Sequence, residues 1–165
     1  MDFGFAYLAD RPEAVPQIAR WWFDEWGHLR PGHSVEALAS WVRDHLSRDQ
    51  LPIHIVAILD NRIVGAAALK LHELFDLYPD KNHWLGSVFV APDFRGRGIA
   101  SALAMKVVEI ANSRGIQSLH LQTLRLDGGL YAKLGWEALE QINHEGQDLL
   151  VMVKQLEGRQ TRALN

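Results

Sequence analysis

The chain has 165 residues, of which 48% are hydrophobic and 22% are charged, and its formal net charge is −3. This composition suits one domain with a sizeable core, and it excludes a disordered or fibrous protein. The acidic balance argues against nucleic-acid or membrane partners, and the absence of cysteine excludes disulfides and a cysteine nucleophile.

The first half of the chain predicts a strand, two helices and a hairpin, in that order. Alternating apolar residues predict a strand over residues 3–8. Apolar residues at spacings of three and four predict a helix over residues 13–26, and Ser34 is a suitable N-cap for a second helix. Residues 53–59 and 63–71 are two β-rich runs on either side of a short polar turn, so we expect a hairpin there.

The second half completes an α/β (α+β) pattern. In chain order we expect a strand over residues 84–90, a helix over 98–113, a strand over 119–124, a short helix over 129–134, and paired strands over 137–143 and 149–155. This order predicts a single mixed, mostly antiparallel sheet of about seven strands with about four helices. We expect residues 1–156 to form one domain and residues 157–165 to form a polar C-terminal tail.

One loop carries the clearest chemical signal. Within residues 88–101 a strand stops at a proline, and a loop with two glycines and two arginines leads into a helix. Glycines let backbone amides approach a ligand, the first helical turn offers unpaired N–H groups, and guanidinium groups suit phosphate oxygens. These features predict a site for a diphosphate or a similar anion. A dinucleotide fingerprint would need a third glycine where Ser101 stands, and no P-loop lysine follows the glycines.

Two motifs together resemble a known family. Residues 95–100 read Arg-Gly-Arg-Gly-Ile-Ala, and residues 130–136 read Leu-Tyr-Ala-Lys-Leu-Gly-Trp. The first is similar to the Arg/Gln-x-x-Gly-x-Gly/Ala signature of the GCN5-related N-acetyltransferases (GNAT superfamily), and the second resembles their Leu-Tyr-x-Lys-x-Gly-Phe/Trp landmark. The resemblance implies a GNAT-like acyl-CoA N-acyltransferase fold and an enzyme that uses acetyl-CoA as its co-substrate.

The resemblance also implies which residues hold acetyl-CoA. Backbone groups of Phe89 and Val90 would pair with the pantetheine arm, and the glycine loop would hold the pyrophosphate. The loop and the helical turn after it consist of Arg95, Gly96, Arg97, Gly98, Ile99, Ala100 and Ser101. Leu124 and Asp127 stand where the family often has Asn and Ala, so the role of that Asn is assigned to no residue here.

Acetyl transfer to an amine needs an acid for the leaving thiolate and a base for the amine. By the resemblance, Tyr131 would lie beside the sulfur, and its phenol can act as the general acid because it stays protonated at neutral pH. The base is left open, and a water chain is one alternative. Candidates for the base or for binding the amine are His83, Asp76, Glu73, Glu25 and Asp24.

The segment at residues 21–26 reads Trp-Trp-Phe-Asp-Glu-Trp. A helix buries only one stripe, so at least one of these four rings is expected at a partial surface. In the superfamily this helix usually lines one side of the acceptor site. Carboxylates beside aromatic rings are suited to binding a cationic amine. We therefore expect a small-molecule amine as acceptor, and a peptide remains an alternative.

These observations predict a cytoplasmic, acetyl-CoA-dependent N-acetyltransferase that works by direct transfer in a ternary complex, since a cysteine acyl-enzyme is excluded. No secretory signal or run of roughly 18 apolar residues is present, and the scattered histidines predict no metal site. Two alternatives stay open: a non-catalytic acyl-CoA-binding or regulatory domain, and a nucleotide-binding domain of another class. The final strands could also pair across a two-fold axis to form a homodimer.

Overall fold

Strands and helices follow one another in the predicted order. In the computed structural model, which describes residues 3–27 and 32–156, the strands are β1 (Gly4–Tyr7), β2 (Ile53–Leu59), β3 (Arg62–Lys70), β4 (Trp84–Val90), β5 (Ser118–Thr123), β6 (Glu137–His144) and β7 (Gln147–Gln155). The helices of this part of the chain are α1 (Val15–Trp26), α2 (Val35–Asp44), α3 (Ile99–Ser113) and α4 (Gly129–Lys133). The expected polar tail, residues 157–165, lies outside the described residues.

The strands within the described ranges form one mixed sheet in the order β1-β2-β3-β4-β5-β7-β6. β1 is antiparallel to β2, and β7 is antiparallel to both β5 and β6. β4 and β5 are parallel, with Trp84 opposite His120, and α3 connects them. The prediction of a mixed, mostly antiparallel sheet with four helices is confirmed.

The described residues divide into two compact units. The first comprises the residues up to Ala68 together with Ser87–Leu103, and the second comprises Leu69–Gly86 together with the residues from Ala104 onward. No helix of the described residues combines the length and the apolarity needed to cross a bilayer.

Helices α1 and α2 supply much of the core of the first unit. Their buried residues are Val15, Ile18, Ala19, Trp22, Ala39 and Val42. α1 begins two residues later than predicted because Pro12–Ala14 form a short 3-10 turn. Ser34 caps α2 as predicted, since its Oγ accepts a hydrogen bond from the Ala37 N–H at 3.0 Å. Both helices therefore bury the apolar stripe that their sequence spacing indicates.

The second unit contains a long loop, residues 71–83, between β3 and β4. The loop is closed at its base, where the His83 N–H donates to the Leu71 carbonyl at 2.8 Å. Its buried Tyr78 packs against Trp84, with 6.0 Å between the ring centroids. The loop is therefore an ordered part of the second unit, with its own apolar contact to the start of β4.

Two polar contacts tie this loop to β6. The Tyr78 hydroxyl donates to the Glu140 carboxylate, and His144 Nε2 lies 3.1 Å from Asp76 Oδ2. Burial, with the Glu140 contact as a further cause, raises the pKa of Tyr78 to about 12, so this hydroxyl remains a donor at neutral pH.

Candidate active site

The glycine loop of the first unit is shaped by backbone conformation. Gly96 and Gly98 have φ of +79° and +81°, the left-handed region that favours glycine. A Cβ at either position would meet no atom within 4 Å, so open space lies beside both. The Gly98 carbonyl accepts from the Ala102 N–H at 3.1 Å and begins α3. The N–H groups of residues 99–101 therefore lie in the first helical turn, where no intrahelical partner exists.

The two arginines of this loop make different contacts. Arg95 Nε donates to the Val90 carbonyl at 2.9 Å, and the guanidinium carbon lies 5.2 Å from the centre of the Phe89 ring. Arg95 thus braces the end of β4. The guanidinium carbon of Arg97 lies 5.2 Å from the Phe94 ring, and that of Arg62 lies 5.0 Å from the same ring. Arg62 was missed by sequence reasoning because it is the first residue of β3, far from the motif in the sequence.

The aromatic residues of α1 pack on β4. Trp21 stacks on Phe89 at 5.3 Å between ring centroids, and Trp26 contacts the same ring edge-on at 6.3 Å. In this helix Trp22 is buried and the other three rings are only partly buried, which confirms that they do not all face inward. The two candidate carboxylates of α1 are exposed: Asp24 lies 3.7 Å from Arg20, and Glu25 is at the surface.

In the second unit, Tyr131 is placed by the start of α4. Gly128 is the N-cap, with φ of +86°, and a Cβ there would lie 2.9 Å from the Met152 methyl group. Asp127 Oδ1 accepts from the Gly129 N–H at 3.0 Å. Asp127, a departure from the family pattern, thus has a structural role in holding the first turn of α4.

The phenol of Tyr131 is protonated at neutral pH. Burial is the main cause that raises the pKa of Tyr131 to about 12, and the negative charge of Glu73 contributes to the rise. The ring also packs edge-on against Trp136, at 6.2 Å between centroids. Tyr131 and Glu73 are therefore close enough to interact electrostatically.

Glu73 is held by groups from three neighbouring strands. Lys70 Nζ lies 3.0 Å from Glu73 Oε2, and Gln122 Nε2 donates to Oε1 at 3.0 Å. A Cβ at Gly86 would overlap Oε2, so the carboxylate rests against the backbone of β4. Sequence reasoning missed Lys70, Gly86 and Gln122, because only the strand order β3-β4-β5 brings them together.

The other two candidate bases lie elsewhere in this unit. His83 is the last residue of the loop before β4 and is partly buried. Burial is the main cause that lowers the pKa of His83 below its usual value, and the charge of Arg114 adds to it, so the imidazole is neutral at neutral pH. Asp76 is exposed and contacts His144 of β6.

The family model described as "Acetyltransferase (GNAT) family" matches residues 15–136, which include the glycine loop and Tyr131. The chain belongs to the GNAT acetyltransferase family. Among solved structures, this GNAT chain is similar to an N-acetyltransferase from Staphylococcus aureus Mu50, with a TM-score of 0.72, 15% identity, and coverage of 95% of this chain and 100% of that one. It also resembles the PaiA N-acetyltransferase of Thermoplasma acidophilum in complex with coenzyme A, with a TM-score of 0.58, 20% identity, and coverage of 94% and 99%.

A curated relative is the glucosamine 6-phosphate N-acetyltransferase of Trypanosoma brucei brucei. It is 34% identical over 80 residues, which are 48% of this GNAT chain and 54% of the relative. The chain spans about half the length of the curated relatives it matches.

Proposed function

We propose that this chain transfers the acetyl group of acetyl-CoA directly to the primary amine of a small molecule, in a ternary complex. The observation that carries the proposal is the position of Tyr131 in the first turn of α4, where burial raises the pKa of its phenol to about 12 and keeps it protonated. The trypanosomal relative is named for an amino sugar phosphate, which supports a small molecule over a peptide as acceptor. A cytoplasmic location and a homodimer remain predictions from the sequence.

The residues of the glycine loop fit the diphosphate of coenzyme A. Open space lies beside Gly96 and Gly98, the amides of residues 99–101 lie in the first turn of α3, and Arg62 and Arg97 add positive charge. Backbone groups of Phe89 and Val90 are proposed to hold the pantetheine arm. When bound, acetyl-CoA supplies the acetyl group as an activated thioester.

Tyr131 is proposed to act on the leaving sulfur. A phenol with a pKa of about 12 is a weaker acid than a thiol, whose pKa is ordinarily about 8.5. Its main contribution is therefore a hydrogen bond to the developing thiolate, and full proton transfer comes second.

The amine must lose a proton before or during its attack. Of the candidate bases, Glu73 is the one whose charge acts on Tyr131, and His83 is a neutral imidazole able to accept a proton. We propose Glu73 as the group that takes the amine proton, with His83 as the alternative. With no cysteine in the chain, direct attack by the amine is the simplest route.

Replacement of Tyr131 tests the proposal. Tyr131→Phe removes the hydroxyl and should lower the rate of thiol release from acetyl-CoA by about 10²–10⁴-fold, while the unfolding temperature changes little. The measurement is steady-state kinetics with free-thiol detection over a panel of amines.

Tyr78→Phe is the matched control, because the pKa of Tyr78 is also raised to about 12 and its hydroxyl contacts Glu140 in β6. It should leave turnover within a few-fold of the wild type. An unchanged rate in Tyr131→Phe would remove Tyr131 from the mechanism. Coenzyme A binding by calorimetry, with no thiol release for any amine, would favour the non-catalytic domain.

A further inference from the structure

Three adjacent strands bring opposite charges together in the second unit. Lys70 ends β3, and its Nζ lies 3.0 Å from Oε2 of Glu73 in the loop that follows. Gln122 of β5 donates to the other oxygen, Oε1, at 3.0 Å. Both carboxylate oxygens are therefore engaged by side chains, one of them charged.

The space for this carboxylate is provided by Gly86 of β4. Any side chain at this position would overlap Glu73 Oε2 and approach the Lys70 stem. The pair is not sealed from solvent: the side chains of Lys70 and Glu73 are 27% and 13% exposed. A polar ligand can therefore reach both charges without unfolding the loop.

Charge balance decides which ligand suits this pair. A simple amine that displaced Lys70 from Glu73 would leave the ammonium of Lys70 without its partner in a partly buried position, which is costly. An acceptor with one ammonium and one anionic group avoids this cost, because all four charges remain paired after the exchange. The charge of Glu73 also acts on Tyr131, so the exchange would take place within electrostatic range of the proposed acid.

We propose that Lys70 and Glu73 together select an acceptor that carries both an ammonium and an anionic group, an inference that rests on the acetyl transfer proposed above. The ammonium of the acceptor takes the place of Lys70 at Oε2 of Glu73. Lys70 then binds the carboxylate or phosphate of the acceptor. Gln122 keeps the carboxylate in place through Oε1, so it is a positioning residue.

Matched acceptors test this selection. Glucosamine 6-phosphate is compared with glucosamine, and an amino acid with its methyl ester, in the thiol-release assay. The wild type should prefer the member with the anionic group by about 10-fold or more in kcat/KM, mainly through KM, since 10-fold corresponds to about one exchanged ion pair. Lys70→Met should abolish this preference, and Lys70→Arg should restore most of it.

The control variant is Lys106→Met. It breaks a Lys–Glu pair of the same spacing on α3, where Lys106 Nζ lies 3.3 Å from Glu109 Oε1, and it should keep the full preference. A wild type without preference, or a preference that survives in Lys70→Met, would overturn the proposal.

Calorimetry with the same ligands separates this inference from the proposed function. A binding preference that Lys70→Met removes, with no thiol release for any acceptor, would support the paired subsite and reject acetyl transfer. Thiol release without any preference would support acetyl transfer and reject the paired subsite. Thermal melts show whether each variant is folded. If Lys70→Met is unfolded, the preference measured for Lys70→Arg tests the proposal instead.

Discussion

At one position of this chain, Gly86, the absence of a side chain matters for the candidate site. Gly86 is buried in β4, and its missing side chain is what admits the carboxylate of Glu73. The end of a flexible side chain can move aside, so an added methyl group would displace Glu73 rather than the strand. The effect of such a change should therefore appear in activity more than in stability.

We expect Gly86→Ala to lower kcat/KM by about 10-fold or more while the midpoint of urea unfolding shifts only slightly. Glu73→Gln should also lower kcat/KM. Because both changes act on the same carboxylate, adding Gly86→Ala to Glu73→Gln should have little further effect. A double-mutant cycle measured by thiol release checks this, and independent, additive losses would contradict it.

Among the elements, α4 depends most on one backbone position. Gly128 caps this short helix with φ of +86°, and a Cβ there would lie 2.9 Å from both the Met152 methyl group and the Ala132 Cβ. A helix of five residues has little stability of its own, so its position depends on its neighbours in the second unit, among them Met152 of β7.

Gly128→Ala should destabilise the chain by about 1–3 kcal/mol through overlap with its neighbours, beyond the ~1–2 kcal/mol cost of a left-handed alanine. Gly146→Ala is the matched control, because Gly146 has φ of +83° and open space at its Cβ position. Urea unfolding of both variants measures the difference. Equal losses would show that the contact with Met152 contributes nothing.

For the whole molecule, much of the fold was predictable and the candidate site was predictable only in part. β2 and β4 have the predicted bounds because turn residues and a proline mark their ends. The hairpin turn at Asp60 and Asn61 was also predicted, and it has positive φ at two residues that tolerate it instead of at a glycine. The glycine loop and Tyr131 belong to motifs that are contiguous in the sequence. The partners of Glu73 come together only because of the strand order, which local sequence spacing does not show.

Two tyrosines give the chain a pH dependence at the alkaline end. The pKa values of Tyr78 and Tyr131 are raised to about 12, against about 10 in an unfolded chain. Between these values the folded chain keeps two protons that the unfolded chain has lost, so the stability contributed by these two tyrosines is complete below about pH 10 and falls as pH rises from about 10 to 12.

The free energy of unfolding, measured in urea at several pH values, should therefore fall less steeply over this window in Tyr131→Phe than in the wild type. The difference in tyrosinate absorbance between the two proteins should have its midpoint near pH 12. A midpoint near 10 would show that the phenol is hydrated, and would weaken its assignment as a persistent donor.

The closure of the loop over residues 71–83 affects which substitutions this chain can tolerate. The His83 N–H donates to the Leu71 carbonyl, so the two ends of the loop are held next to each other whatever residues lie between them. Substitutions between these ends can alter the surroundings of Glu73 while the pairing of β3 with β4 is preserved. If Lys70 and Glu73 select the acceptor as proposed, changes at about a dozen positions of this loop can shift that preference while Lys70 and the strands stay unchanged.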